Sequence, residues 1–450
     1  MTQGLRPAEA ARLQSTLAAR LALWLYGGVM RLLTPAYLLR LWLRGRAEPL
    51  YRRFLRQRLG IYPAHEHPRP GWVWVHAVSL GETRAAAALI DALRRAQPGL
   101  RLLLSHSTAT GREAGVELLR NSDAQVWLPF DTPGSVRRFL QHWQPGVGVL
   151  METEIWPCLQ AEAARRGLPM VLANARLSAR SQRRGERLRA LLHPAAQRLS
   201  LALAQTEADA ERLRASGAPR VQVAGNLKFD MTVDAVLLAR GQAWHEALGR
   251  PVILAAVTRE GEEALLLKAW QSQSAAVKAA GRPLLLIVPR HPQRFDEVAQ
   301  AIGNAGLRLA RRSQWADAPG PEALAADAWL GDSMREMALY YGLADVALLG
   351  GSFAPLGGQN LIEAAACGCP LLMGPHTFNF AQAAELAETA GAAQRVSDLD
   401  RALEAALRLC QQPAQAADMR ARALAFARSH RGAAARMAAE ILSLEPAPRA

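Results

Sequence analysis

Short apolar runs alternate with amphipathic segments along most of the chain, and polar loops separate them. The pattern is clearest at residues 71–96, where an apolar, β-prone run from Trp72 to Val78 leads into the turn Ser79-Leu80-Gly81. After the turn, apolar residues recur at i, i+3, i+4 and i+7, which predicts a helix that begins at Glu82. The sequence therefore places a carboxylate directly after the first predicted strand.

This strand–loop–helix unit repeats along two series, at residues 71–230 and 252–396. The predicted strands of the first series are 72–78, 100–105, 125–129, 146–151, 168–173, 199–204 and 221–224, and those of the second are 252–256, 284–288, near 307, 328–330, 345–349 and 370–373. Strands that alternate with helices over short connections predict parallel, doubly wound sheets. We therefore expect an α/β protein with two Rossmann-like domains and a cleft between them.

Charged side chains follow several strands of the first series at equivalent places. They are Glu82, Glu152, Glu154, Arg176 and Lys228. A single acid in a first helical turn is explained by the helix dipole alone. Five charged residues at the same edge favour a ligand crevice, because open parallel sheets bind ligands at the carboxyl ends of their strands.

The second series contains glycine-rich turns that open onto a helix, at residues 350–360. Backbone N–H groups in such a turn bind phosphate, although the same glycines also suit turns with helix caps. Arg290 after a predicted strand is a phosphate partner, and Glu363 is placed to accept hydrogen bonds from ribose hydroxyls. Neither turn matches a Walker A or GxGxxG pattern.

The domain organisation that these patterns predict has three parts. Residues 1–46 form an N-terminal anchor and basic tail, residues 47–236 a first Rossmann-like domain, and residues 237–450 a second. The alanine- and arginine-rich segment 414–443 is predicted as one helix, a candidate to return to the first domain. The segment 311–326 is predicted as a polar insertion.

Charge and cysteine content narrow the class of protein. The net charge is +15, but residues 1–60 hold eleven arginines against two glutamates, which leaves +6 for the other 390 residues. The charge therefore belongs to the tail, which argues against a nucleic-acid groove across the body. Four scattered cysteines suit a reducing compartment. Asp398-Leu399-Asp400 is interpreted as a helix cap and not as a metal site.

The apolar segment 17–43 is interrupted by Arg20, Arg31, Arg40 and Pro35. A charge near the centre is expensive in a spanning helix. Tryptophan and tyrosine side chains with a following arginine cluster favour an interfacial membrane anchor on anionic lipid. A spanning helix and a helix packed on the body remain the alternatives.

Nine ordered motifs make the chain resemble the 3-deoxy-D-manno-octulosonic acid (Kdo) transferases of lipopolysaccharide assembly. The motifs are HAVSLGE (76–82), METEIWP (151–157), NARLS (174–178), GNLKFD (225–230), PRHP (289–292), GDSMRE (331–336), LGGSF (349–353), GGQNLIEAAA (357–366) and GPHTFNF (374–380). They span roughly residues 40–396. The resemblance implies a GT-B fold and an inverting, metal-independent glycosyltransferase that needs no cofactor. It implies CMP-Kdo as donor, a lipid A precursor (lipid IVA) as acceptor, and attachment to the cytoplasmic face of the inner membrane.

The resemblance also implies site residues. Glu82 matches the general base, and Glu152 and Lys228 match residues that stabilise the transition state. The expected CMP site comprises Pro289, Arg290, Met334, Arg335, Glu336, Asn360, Leu361, Ile362 and Glu363. Arg335 stands where the family often has glycine, and Gln359 where it often has histidine. The rival hypotheses are a GT-B enzyme for another nucleotide sugar and a basic nucleic-acid-binding protein.

Overall fold

The computed structural model describes residues 17–63 and 70–444, which form two compact units. The first unit ends at residue 230 and also includes the residues from 431 onward; the second unit covers residues 231–430. The division thus falls six residues before the boundary expected from the sequence. Of the anchor and basic tail expected at residues 1–46, the first 16 residues lie outside the described part of the chain.

The first unit is built on a parallel seven-stranded sheet with the order β3-β2-β1-β4-β5-β6-β7. Its strands are β1 (Trp72–His76), β2 (Leu102–His106), β3 (Ala124–Trp127), β4 (Pro145–Met151), β5 (Met170–Ala175), β6 (Leu201–Ala204) and β7 (Val221–Val223). Strands β1, β2 and β5 are buried along their whole length, as expected when helices cover both faces. The first predicted doubly wound domain is thereby confirmed.

Helices connect these strands and cover the sheet. They are α1 (Leu17–Arg44), α2 (Leu80–Ala96), α3 (Ala109–Val116), α4 (Pro133–Trp143), α5 (Pro157–Arg165), α6 (Ala179–Glu186), α7 (Arg189–Ala196) and α8 (Glu207–Ala215). Short 3-10 turns cover Pro49–Arg52, Leu55–Leu59 and Leu227–Asp230. Hydroxyl N-caps begin many of these helices after a strand, including Ser79 for α2 and Thr132 for α4.

The second unit repeats this architecture with the strand order β10-β11-β9-β8-β12-β13-β14. Its strands are β8 (Val252–Thr258), β9 (Leu284–Pro289), β10 (Leu309–Arg311), β11 (Ala328–Leu330), β12 (Val346–Leu349), β13 (Leu371–Met373) and β14 (Ala393–Arg395). Its helices are α9 (Ala235–Leu248), α10 (Glu262–Ser272), α11 (Ser274–Ala279), α12 (Phe295–Asn304), α13 (Pro321–Ala325), α14 (Met337–Leu343), α15 (Leu361–Ala366), α16 (Ala381–Thr389), α17 (Leu399–Gln411) and α18 (Pro413–Ser429). All its ladders are parallel, which confirms the second predicted sheet.

The prediction of one continuous helix over residues 414–443 is wrong. It is two helices, α18 and α19 (Ala433–Leu442), separated at Gly432, which adopts a left-handed φ of +91°. The Asp230 carboxylate accepts hydrogen bonds from the N–H groups of Gly432 and Ala434 and so caps α19. Helix α19 packs on α2 in the first unit.

The prediction that residues 311–326 form a polar insertion is also wrong in part, because some of these residues are buried in the unit. Arg312 is buried, and Trp315 packs edge-on against Trp329 with ring centroids 5.1 Å apart. Arg311, at the start of the segment, is the last residue of β10, and residues 321–325 form α13. The Asp398 side chain accepts from the N–H of Arg401 and caps α17, as expected.

Helix α1 contacts the first unit through one face, while most of its residues are exposed. Ala19 and Gly27 are buried, and a Cβ atom at Gly27 would sit 3.3 Å from Pro133 Cδ. Further along, the rings of Tyr37 and Phe130 lie 5.9 Å apart. Helices α5 and α7 also contact α1. Within the described residues, α1 is the one helix long and apolar enough to cross a membrane by length and composition.

Candidate active site

Glu82 occupies the first turn of α2, directly after β1 and its polar loop. Its carboxylate accepts hydrogen bonds from the Val78 N–H (2.9 Å) and the Ser79 hydroxyl (3.3 Å). The Ser79 hydroxyl in turn caps α2 by accepting from the Glu82 N–H. Glu82 is half-buried, so these local bonds hold the carboxylate in one place while leaving part of it open to solvent.

Glu152 follows β4, the strand beside β1 in the sheet. Its backbone is left-handed, with a φ of +58°, which is uncommon for a residue other than glycine and is found at functional sites. The buried Glu152 carboxylate pairs with Arg176 after β5, with Nε to Oε2 at 2.9 Å. The Glu152 N–H also donates to Ala173 O, so strand pairing fixes this conformation.

A set of amide side chains holds the loop that carries Lys228. Asn174 Oδ1 at the end of β5 accepts from the Leu227 N–H at 3.0 Å. The Gln205 side chain after β6 donates to the Asn174 carbonyl (2.9 Å) and accepts from the Asn226 amide (3.0 Å). The 3-10 turn that contains Lys228 also packs on α2, the helix that carries Glu82. Lys228 therefore lies near Glu82, although it follows β7, which is three strands away from β4 in the sheet.

The charged groups at this edge affect one another's protonation. Burial raises the pKa of Glu82, and the nearby Glu152 charge raises it further, against the opposing effect of the Val78 N–H. Burial, followed by the charge of Glu82, raises the pKa of Glu154 to about 7. Burial lowers the pKa of Lys228, and the negative charge of Glu152 opposes that shift while Arg176 adds to it. The structure thus brings all five predicted edge residues into one electrostatic cluster.

The residues predicted for CMP lie at the strand ends of the second unit. Pro289 ends β9, and the Arg290 N–H donates to Thr258 O while its side chain is exposed. Met334 is 59% exposed. Leu361 and Ile362 are fully buried, so only their backbone atoms remain for a ligand.

Asn360 is the N-cap of α15, where its side chain accepts from the Ile362 N–H at 3.2 Å. Glu363 is half-buried one turn later, and burial raises its pKa. Asn360 and Glu363 therefore both lie at the start of the short helix α15, as their spacing in the sequence predicts.

The sequence predicts that the glycine-rich turn at residues 350–360 offers its backbone N–H groups to a phosphate, but several of these groups already have a partner within the protein. The buried Glu262 carboxylate at the start of α10 accepts from the N–H groups of Gly351 (2.7 Å), Phe353 (3.2 Å) and Ala354 (3.3 Å). An internal carboxylate therefore already binds the first part of the turn. The hydrogen bonds of this carboxylate do not extend to the later part of the turn, towards Asn360 and the start of α15.

Two consecutive arginines hold the GDSMRE loop. Arg311 Nε contacts the Asp332 carboxylate at 2.7 Å, and Arg312 Nη2 contacts Glu336 at 2.8 Å. The Arg312 guanidinium also lies 5.1 Å from the centre of the Trp244 ring. Arg335 between the two acids is left-handed, with a φ of +66°, which gives a physical reason for glycine to be favoured at this position.

Glu154 and Arg176 lie at the sheet edge expected from the sequence, which gave no role for them. Arg311, Arg312 and Glu262 were not among the predicted site residues, because their partners are distant in the sequence. Within residues 17–63 and 70–444, no group of three His, Cys, Asp or Glu side chains is arranged to hold a metal ion.

Comparisons with known proteins identify the family. A family model described as 3-deoxy-D-manno-octulosonic-acid transferase (kdotransferase) matches residues 53–231. A 3-deoxy-D-manno-octulosonic acid transferase of Bordetella pertussis is 47% identical over 91% of this chain and 96% of its own length. The chain belongs to the Kdo transferase family. It is therefore a glycosyltransferase.

Further relatives agree with this assignment. A Kdo transferase of Haemophilus influenzae is 36% identical over 80% of this chain and 84% of its own length. The crystal structure of a UDP-GlcNAc 2-epimerase from Neisseria meningitidis matches 82% of this chain and 99% of its own, with a TM-score of 0.53 and 15% identity. That likeness is one of fold alone, and it agrees with the GT-B class predicted from the sequence.

Proposed function

We propose that this Kdo transferase moves Kdo from CMP-Kdo to a hydroxyl of a lipid A precursor, lipid IVA, with inversion at the anomeric carbon and without a metal. The observation that carries the proposal is the cluster of Glu82, Glu152 and Lys228 at one sheet edge, in a chain of this family. The cluster combines a partly open carboxylate with a lysine, which suits an alcohol acceptor and an anionic donor.

Glu82 acts as the general base in this proposal. The acceptor oxygen attacks the anomeric carbon, the bond from that carbon to the CMP phosphate oxygen breaks, and CMP leaves with the electron pair. The hydroxyl proton passes to the Glu82 carboxylate. A positioned base contributes about 10²–10⁴ to the rate, and the raised pKa of Glu82 makes it a stronger base than an ordinary glutamate.

Glu152 and Lys228 stabilise the charges that develop. Positive charge grows on the sugar as CMP leaves, and the Glu152 carboxylate offsets it or orients Lys228. The Lys228 ammonium pairs with the Kdo carboxylate or with the departing phosphate. Arg176 holds the Glu152 carboxylate in place through their 2.9 Å ion pair.

The second unit binds CMP in this proposal. Arg290 contacts the phosphate, and the backbone at the start of α15 adds its N–H groups. Glu363 accepts from the ribose hydroxyls, while the loop at residues 334–336 contacts the nucleotide. Titration with CMP and with UDP tests this assignment, and preferential binding of UDP would favour an enzyme for another nucleotide sugar.

Membrane attachment at the cytoplasmic face of the inner membrane completes the proposal. Helix α1 exposes large apolar side chains to solvent, among them Leu17, Trp24 and Leu32, while its other face packs on the unit. Because one face of α1 packs on the protein, we expect the helix to lie in the plane of the membrane interface and not to cross the bilayer. Removal of residues 1–60 should greatly weaken vesicle binding; steeply salt-dependent nucleic-acid binding by the remaining body would instead support the rival binding protein.

A further inference from the structure

The first unit carries a second concentration of positive charge, distant in sequence from the basic tail. We define the arginine segment as residues 180–189, which hold Arg180, Arg183, Arg184, Arg187 and Arg189 with a single acid, Glu186. All five arginines are exposed, and α6 buries none of its residues. Arg189 pairs with Glu186 at 3.7 Å, and the other four make no ion pair with another described residue.

The spacing of these arginines is unfavourable for an isolated helix. Arg180 and Arg184, and likewise Arg183 and Arg187, are four residues apart and lie on the same side of a helical turn. Like charges at this spacing destabilise a helix. Because α6 buries no apolar side chain in return, an anionic partner outside the molecule would explain the arrangement better than internal stability does.

The arginine segment lies in the same part of the unit as the apolar helix. Helix α6 contacts α7, and α7 packs against α1. On the outer side of α1, Trp24 is 74% exposed and Leu32 is 81% exposed. Leu188, between two of the arginines, is also 58% exposed. Apolar and cationic side chains therefore occur together, as on surfaces that bind the headgroup region of a bilayer.

We infer that the arginine segment is a second membrane contact, which binds the anionic phospholipid headgroups beside the inserted α1. The inference rests on the proposed membrane attachment. Guanidinium groups bind phosphate in a bidentate fashion and are more weakly hydrated than ammonium groups, so they suit this interface. One inserted apolar element gives only reversible binding, and a polybasic patch supplies the second signal needed for stable attachment.

The test uses the full chain and two sets of vesicles, one of phosphatidylcholine and one that also contains phosphatidylglycerol. The variant R180Q/R183Q/R184Q/R187Q removes four charges from the segment. We expect its partition coefficient on the anionic vesicles to fall at least about tenfold, since each basic residue at such a surface contributes about fivefold. Binding to phosphatidylcholine, which depends on α1, should stay unchanged.

A matched variant, R95Q/R120Q/R408Q/R428Q, removes the same charge from exposed arginines elsewhere and should lose less than about threefold. Equal losses in both variants would show that only net charge matters and would overturn the inference, as would unchanged anionic binding. Circular dichroism checks that both variants fold.

Kdo transfer in detergent micelles separates this inference from the proposed function. We expect an unchanged KM for the acceptor in the first variant. A raised KM with unchanged vesicle binding would assign the arginines to the acceptor and overturn the membrane contact. Absence of transfer in the wild-type protein would refute the proposed function without affecting the vesicle result.

Discussion

Replacing Glu82 by glutamine tests the proposed base with little change in structure. The two oxygens of the carboxylate accept from the Val78 N–H and the Ser79 hydroxyl. A glutamine oxygen can still accept from the Val78 N–H, whereas its NH₂ group cannot take a proton from the acceptor alcohol. Loss of a general base lowers the rate by about 10²–10⁴, or about 3–5 kcal/mol of transition-state stabilisation.

The effect of the same change on folding should be small. Glutamine keeps the hydrogen bond from the Val78 N–H and loses the longer one from the partly exposed Ser79 hydroxyl, so the free energy of unfolding should fall by less than about 1 kcal/mol. Glu82→Ala serves as the matched control, because it removes both hydrogen bonds of the carboxylate as well as the base. We expect both variants to lose transfer, and only the alanine variant to lose measurable stability in urea unfolding.

The assay is single-turnover Kdo transfer at saturating donor, with CMP affinity measured separately by calorimetry. The predicted result is a large loss of the transfer rate with CMP affinity within about twofold of the wild-type value, since Glu82 belongs to the first unit. A transfer rate within about threefold of wild type in Glu82→Gln would refute the assignment of the base.

Three further changes test how the site is held and charged. Arg176→Gln removes a positive charge that lowers the pKa of Glu82, so the pKa of that base should rise and the acid limb of the kcat/KM profile should move to higher pH; an unmoved limb would argue against the coupling. Asn174→Ala leaves the Lys228 loop without its hydrogen-bond acceptor and should lower the free energy of unfolding by about 1–3 kcal/mol in urea and also lower kcat; an unchanged kcat would contradict the positioning role. Arg312→Leu leaves the half-buried Glu336 carboxylate with its Ser333 hydrogen bond but without its guanidinium partner, and should lower the free energy of unfolding by about 1–3 kcal/mol and weaken CMP binding, whereas wild-type CMP affinity by calorimetry would exclude a role in the nucleotide site.

The sheets could be predicted because their signal is local. Each buried strand is a short apolar run, and each strand end is followed by a polar loop that begins the next helix. Glu82 and Glu152 could be placed at one edge because parallel strands share the direction of their carboxyl ends. The break at Gly432 was missed, because a glycine inside a helical pattern weakens the helix by only about 1 kcal/mol and does not by itself end it.

Other features depend on contacts between distant residues and carry no local pattern. Glu262 binds the amide of Gly351, which is 89 residues away in sequence. Arg312 pairs with Glu336 across 24 residues, so its segment looked like a polar insertion although the arginine is buried. A charged side chain has the same appearance in sequence whether solvent or a buried partner satisfies it.

The most direct test of the central claim is mass spectrometry of the lipid product. The purified enzyme is incubated with CMP-Kdo and lipid IVA, and a parallel reaction contains a UDP-sugar in place of CMP-Kdo. Our account predicts that the lipid gains the mass of Kdo in the first reaction and that the second leaves the lipid unchanged. A lipid of unaltered mass with CMP-Kdo, or sugar transfer from the UDP donor, would contradict it.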